Sequence, residues 1–149
     1  MKPLIILLVV FTLSLFATKI VNSNFDLSLS GKIALSVMLL FTAGAHFAYG
    51  KGMTMMLPDF IPYKTATIYL TGVIEIAAAF GLLIPGLSVL TGWLLIAFFI
   101  LILPANIYAA IKQVDFEKGT FEGKGLSYLW FRIPLQILFI IWTYLAAIK

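Results

Sequence analysis

The sequence predicts an all-α polytopic membrane protein, with five transmembrane helices forming a single domain over residues 1–149. Three observations predict it. Of the residues, 62% are hydrophobic, whereas a soluble domain carries about 45–50%. The apolar residues fall into five runs, each long enough to cross a hydrocarbon layer about 30 Å thick. Charges gather at the ends of those runs and between them, where nine of the ten basic residues are lysines. Membrane topology requires that pattern, so the net charge of +4 is not read as a nucleic-acid surface.

The first run, Pro3 to Val21 behind Lys2, has the outline of a signal peptide. Its small-residue cleavage pattern is poor, since Ala17, Thr18 and Lys19 are followed by Ile20 and Val21, and it is expected to be a retained first span. It offers only hydroxyls and is expected at the periphery. Ile33 to Gly50 is the second span; Gly44 and Ala48, four apart near its end, are expected to let another helix approach closely. In Lys51 to Lys64, Pro58 and Pro62 interrupt any helix, yet Met53, Met55, Met56, Leu57, Phe60 and Ile61 are too apolar for water. An interfacial or re-entrant lid is expected there, its methionines packing rather than holding a metal. The third span, Thr67 to Pro85, turns at Pro85-Gly86 into the fourth, Leu87 to Ile111. Lys112 to Gly125 is a charged, solvated loop. The fifth span, about Leu126 to Ile148, has Trp130 and Trp142 near its ends, as interfacial belts do. Six lysines on the N-terminal side against three opposite place the N-terminus in the cytoplasm and the C-terminus outside.

The third span poses the main question, because it holds one acid, Glu75, roughly 13 Å deep. An ionised group there costs on the order of 3 kcal/mol and demands a partner or a proton. Other polar residues reach the same half of the membrane: His46 about 6 Å, Asn106 about 8 Å and Arg132 roughly 9 Å from the cytoplasmic ends of their helices, with Gln136 one turn deeper. Tyr128, Arg132 and Gln136 form an i, i+4, i+8 stripe; Thr42 shares a face with His46, and Thr71 with Glu75. Lipid will not accept these groups, so they are expected to face one another. Arg132 is the natural counter-ion for Glu75, because its guanidinium matches a carboxylate and stays charged. A structural reading stands beside this one: a buried Glu–Arg pair can be interhelical glue, His46 can be a hydrogen-bonded core residue, and Asn106 can satisfy carbonyls freed by Pro104.

The absence of cysteine excludes disulfides, thiolate redox chemistry and iron–sulfur clusters, and the single histidine excludes a bis-histidine haem or a histidine-built zinc site within one chain. No metal and no intrinsic cofactor are expected.

In TAGAHF at Thr42–Phe47, LPDFIP at Leu57–Pro62, TGVIEIAAAFGLLIP at Thr71–Pro85, LPANIYAA at Leu103–Ala110 and WFRIPLQ at Trp130–Gln136, the sequence resembles the DoxX-like family of small bacterial integral membrane proteins. The resemblance implies a bacterial inner-membrane protein with a four-helix core, helices two to five, plus an N-terminal helix. It also implies association with quinone redox systems or with membrane-protein assembly.

The leading functional expectation is binding of a lipophilic small molecule, quinone-like or a lipid, in a pocket lined by His46, Glu75, Asn106, Arg132, Gln136, Thr71, Thr42 and Tyr128. Electrons would then come from a redox partner subunit, the chain having no carrier of its own. An acid–base isomerase or hydrolase acting on a membrane lipid through His46 and Glu75 is the alternative of a different class. A scaffold or assembly factor with a purely structural polar cluster is the third. The bilayer is the expected partner, nucleic acid is not, and a homo-oligomer stays open.

Overall fold

The computed structural model describes residues 2–149, and they are almost wholly helical. α1 spans Lys2–Asn22, α2 Leu27–Ala48, α3 Gly50–Thr54, α4 Lys64–Leu83, α5 Ser88–Ile111 and α6 Leu129–Thr143. A 3₁₀ turn, Gly125–Tyr128, leads into α6, and a π turn, Tyr144–Ile148, extends it. Five helical stretches are long and apolar enough to cross a membrane, the last running Gly125–Ile148. That makes the chain compatible with a multi-pass membrane protein.

Local chemistry sets the boundaries. α2 begins six residues before the expected Ile33, because Asp26, in an extended conformation, accepts a hydrogen bond from the Leu29 N–H at 2.9 Å and caps the helix. α4 stops at Leu83 because Pro85 drives the residue before it, Ile84, to ψ 117°. Pro104 lies inside α5, which continues through it.

α2 and α4 make the most extensive helix–helix contact, and α1 packs along α2. α1 is peripheral as expected: only Leu7, Ser14 and Thr18 are buried on it, although Leu7 joins the main core with Leu35, Leu39, Leu82 and Leu95. A second, smaller core forms where Met53 and Leu57, from the proline-broken segment, settle on Ile68 of α4.

Two expectations about packing are corrected. Gly44 is no helix-packing notch: it is exposed, and a Cβ there would meet nothing within 4 Å. The close approaches occur at other glycines. A Cβ on Gly72 would lie 3.0 Å from the His46 Cβ, and one on Gly31 would lie 2.8 Å from the Ala146 Cβ. Trp130 is 88% exposed and fits a belt, but Trp142 turns inward. Its Nε1 donates to the Gly31 carbonyl at 3.2 Å, and its ring packs on Phe11 with centroids 4.8 Å apart. The ring nitrogen is satisfied by backbone, so it does not need water.

The loop after α5 is folded back on the bundle. Asp115 and Thr120 form a bridge, Gly119 takes φ +65° at its tip, and the Phe116 backbone lies against Gly52, where a side chain would collide with it. Lys2 and Glu117 make an exposed ion pair at 3.3 Å, tying the start of α1 to this loop.

Candidate functional site

α2, α4, α5 and α6 enclose a cavity of about 770 Å³, and all eight side chains singled out from the sequence line it. Its walls are otherwise largely apolar: Phe98, Phe99 and Ile102 from α5, Leu135 and Phe139 from α6, and Met53, Met56 and Leu57 from the broken segment. Phe116 and Glu117 of the folded-back loop, with Lys2 and Pro3, also line it.

The polar groups divide into two sets. The first belongs to α2 and α4. Thr42 and His46 are one turn apart on α2, and Ile68, Gly72 and Glu75 share one buried or half-buried face of α4. The bare backbone at Gly72 allows His46 to come close. Its Nδ1 lies 3.1 Å from the Ile68 carbonyl and 3.0 Å from Thr71 Oγ1. The Thr71 hydroxyl also reaches the same carbonyl at 2.7 Å. A carbonyl only accepts, so the Ile68 contact suits an Nδ1–H, while a bare Nδ1 would accept from the Thr71 hydroxyl; the tautomer decides between them. The other ring nitrogen, Nε2, faces Glu75 Oε2 at 3.4 Å, and the Thr42 hydroxyl divides its one proton between that same oxygen at 3.2 Å and the Leu39 carbonyl at 3.1 Å. In either tautomer a proton lies in the Nε2–Oε2 contact, donated by Nε2–H to the carboxylate or by a carboxylic acid to Nε2. Glu75, only 5% exposed, thus avoids the several kcal/mol cost of a bare buried charge.

Here the expected pairing is overturned. Among the described residues Arg132 makes no ion pair, and the partner of Glu75 is His46. Spacing shows that both lie at the right depth, but it does not tell which helix face meets which. The α2–α4 contact, opened by Gly72, decides it.

The second set belongs to α5 and α6. Gln136 is buried, and its Nε2 donates to the Phe99 carbonyl at 2.8 Å, which makes it a bridge between the two helices. Asn106 is 8% exposed, lines the cavity, and its side chain makes no hydrogen bond among the described residues. It does not take up carbonyls around Pro104, as the structural reading had it. Arg132 stands over the Tyr128 ring at 5.5 Å, with Lys124 at 5.5 Å from the same ring. The Arg132 guanidinium likewise has no hydrogen-bond acceptor among the described residues. The α2–α4 set is internally satisfied, whereas Asn106 and Arg132 of the second set have no side-chain hydrogen-bond partner among the described residues.

No cluster of three or more metal-ligating side chains occurs among the described residues.

Residues 35–147 match the model of a family described as Domain of unknown function (DUF8561), and no match to the DoxX-like family is found. The DoxX-like resemblance is thereby corrected. The short motifs behind it are mostly apolar stretches with one or two polar side chains, which a compact helical bundle needs whatever its ancestry. No curated protein and no solved structure matches the chain.

Proposed function

The chain belongs to the family described as Domain of unknown function (DUF8561), and from its cavity we propose that it binds a lipophilic small molecule between its helices. One observation carries the reading: a cavity of about 770 Å³ with mainly apolar walls leaves the amide of Asn106 and the guanidinium of Arg132 without acceptors. Apolar volume with a few converging polar groups is the usual form of a small-molecule site, and 300–1,000 Å³ is its usual size. Neither group has a protein partner among the described residues, so an occupant that supplies acceptors gains hydrogen bonds there, each worth about 0.5–1.5 kcal/mol and more where a charge is involved. A quinone, with two carbonyl acceptors on an apolar body, is one candidate.

The test is native mass spectrometry of protein extracted in mild detergent, for wild type and for Ala105→Phe, which adds a ring at a cavity-lining position. A retained small molecule that the substitution displaces is the expected result. A retained species indifferent to Ala105→Phe, or an empty protein that no lipophilic probe stabilises, removes the proposal.

The second reading is acid–base isomerisation or hydrolysis of a membrane lipid, favoured by the proton shared between His46 and Glu75 on the wall of the same cavity. It requires turnover that both His46→Ala and Glu75→Gln abolish while the cavity still fills.

The lysine asymmetry supports a cytoplasmic N-terminus in a bacterial inner membrane. Because the chain has no cysteine, Lys118→Cys and Gly86→Cys give single labels on opposite sides. An impermeant thiol reagent applied to intact cells should reach only the second.

A further inference from the structure

Resting on the cavity reading, we infer that the occupant is an amphiphile with an anionic oxygen head, a carboxylate or a phosphate monoester, whose oxygens meet Arg132 and Asn106 while its apolar chain fills the rest of the cavity. The first support is charge. Glu75, the one acid of the membrane-spanning helices, is taken by His46 at 3.4 Å and by Thr42 at 3.2 Å. Among the described residues no acid pairs with Arg132, so its guanidinium meets no counter-ion in the cavity. A second pocket, a vestibule, shares Asn106, Tyr128 and Arg132 with the cavity, and its acids are committed elsewhere or exposed. Glu117 pairs with Lys2, Asp115 Oδ1 accepts from the Lys118 N–H at 3.2 Å, and Glu122 lies on an exposed stretch. The vestibule they line also holds Lys2, Lys118, Lys124 and Arg132, so bases outnumber acids there.

The second support is independent of charge. Asn106, nine-tenths buried and unpartnered, lines both the cavity and the vestibule, as do Arg132 and Tyr128. The guanidinium of Arg132 is donor-only and the amide of Asn106 adds an N–H₂, so the two pockets they share are lined by several unpaired donors. A carboxylate or phosphate, which only accepts when ionised, matches that set, and hydrogen bonds in which both partners are charged are the stronger kind. An alcohol head meets the same donors without the charge.

The experiment compares binding to full-length protein in a non-ionic maltoside, read by thermal shift and native mass spectrometry. The probes are oleate, oleoyl lysophosphatidic acid, oleyl alcohol and inorganic phosphate. The expected result is that one or both anionic amphiphiles bind roughly tenfold or more tightly than oleyl alcohol; which one does so tells a carboxylate head from a phosphate. Equal affinity for the alcohol overturns the inference while the cavity proposal stands. No binding of any chain overturns both. Inorganic phosphate bound as tightly as the amphiphiles also overturns it, because the chain would then contribute nothing. Arg132→Gln is expected to erase the preference for the anion, and retention of that preference overturns the role given to Arg132. Should that variant fail to fold, Asn106→Leu, which removes the donor at similar volume, is expected to narrow the preference, and an unchanged ratio counts against the assignment. The wild-type comparison decides without either variant.

Discussion

His46 Nε2 stands 3.4 Å from Glu75 Oε2 while Nδ1 of the same ring lies 3.1 Å from the Ile68 carbonyl. The two contacts compete for the one proton of a neutral imidazole: the carbonyl suits a proton on Nδ1, and the carboxylate a proton on Nε2. His46 is the only histidine in the chain, so histidine-selective ¹⁵N labelling should give a single spin system that departs from the tautomer average of a free imidazole. A free-imidazole average would contradict this arrangement.

The pair should respond unequally to removal of its members. In Glu75→Gln the amide oxygen can still accept from Thr42, and the amide N–H can donate to Nε2, so the change in stability should stay within about 1 kcal/mol. His46→Ala leaves a buried carboxylate with Thr42 alone and should cost about 3 kcal/mol. Denaturation in mixed micelles measures both, and equal losses would contradict the shared-proton geometry.

Glycine substitutions separate the real helix contact from the expected one. Gly72→Ala places a methyl 3.0 Å from the His46 Cβ and 3.1 Å from the Phe47 ring. It should force α2 from α4 at a cost of roughly 1–3 kcal/mol. Gly44→Ala meets only open space and should be neutral, or stabilising by a few tenths of a kcal/mol through helix propensity.

Gln136 links α6 to α5 through the Phe99 carbonyl at 2.8 Å. Gln136→Leu removes the bond at similar volume and should cost about 0.5–1.5 kcal/mol. The same thermal or chemical denaturation detects it. A larger loss would indicate that Gln136 holds more than this one bond.

The folded-back loop depends on Gly52, whose missing side chain admits the Phe116 backbone. Gly52→Ala should lift the loop and accelerate cleavage at Lys118 by a lysine-specific protease, with little change in the helical signal.

The five helices and the eight cavity-lining side chains were legible in the sequence because both follow from local patterns: long apolar runs, and polar residues recurring at helical spacing on one face. The partner of Glu75 was not legible. Helical periodicity orients a side chain about its own axis but leaves the rotation of neighbouring helices open, so Arg132 and His46 were both eligible. The choice depended on Gly72, which reads in sequence as one small residue among many. Trp142 misled for a related reason, since a tryptophan near a span end fits an interface equally well whether or not a backbone carbonyl such as that of Gly31 is waiting inside. The capping role of Asp26 had a readable signal, an acid just before an apolar run, that the longer hydrophobic pattern obscured.

Leu40, Phe41 and Gly44 of α2 line the cavity and are exposed. In the proposed membrane placement, a lipophilic occupant would enter past them from the hydrocarbon without crossing an aqueous phase. What governs filling is then the mole fraction of the compound in its leaflet, and its apparent affinity in detergent will fall as micelles are added and dilute it. A scarce membrane component would be bound only if it outcompetes abundant neighbours at that flank, so discrimination there has to come from the head, since every chain in the leaflet is equally greasy.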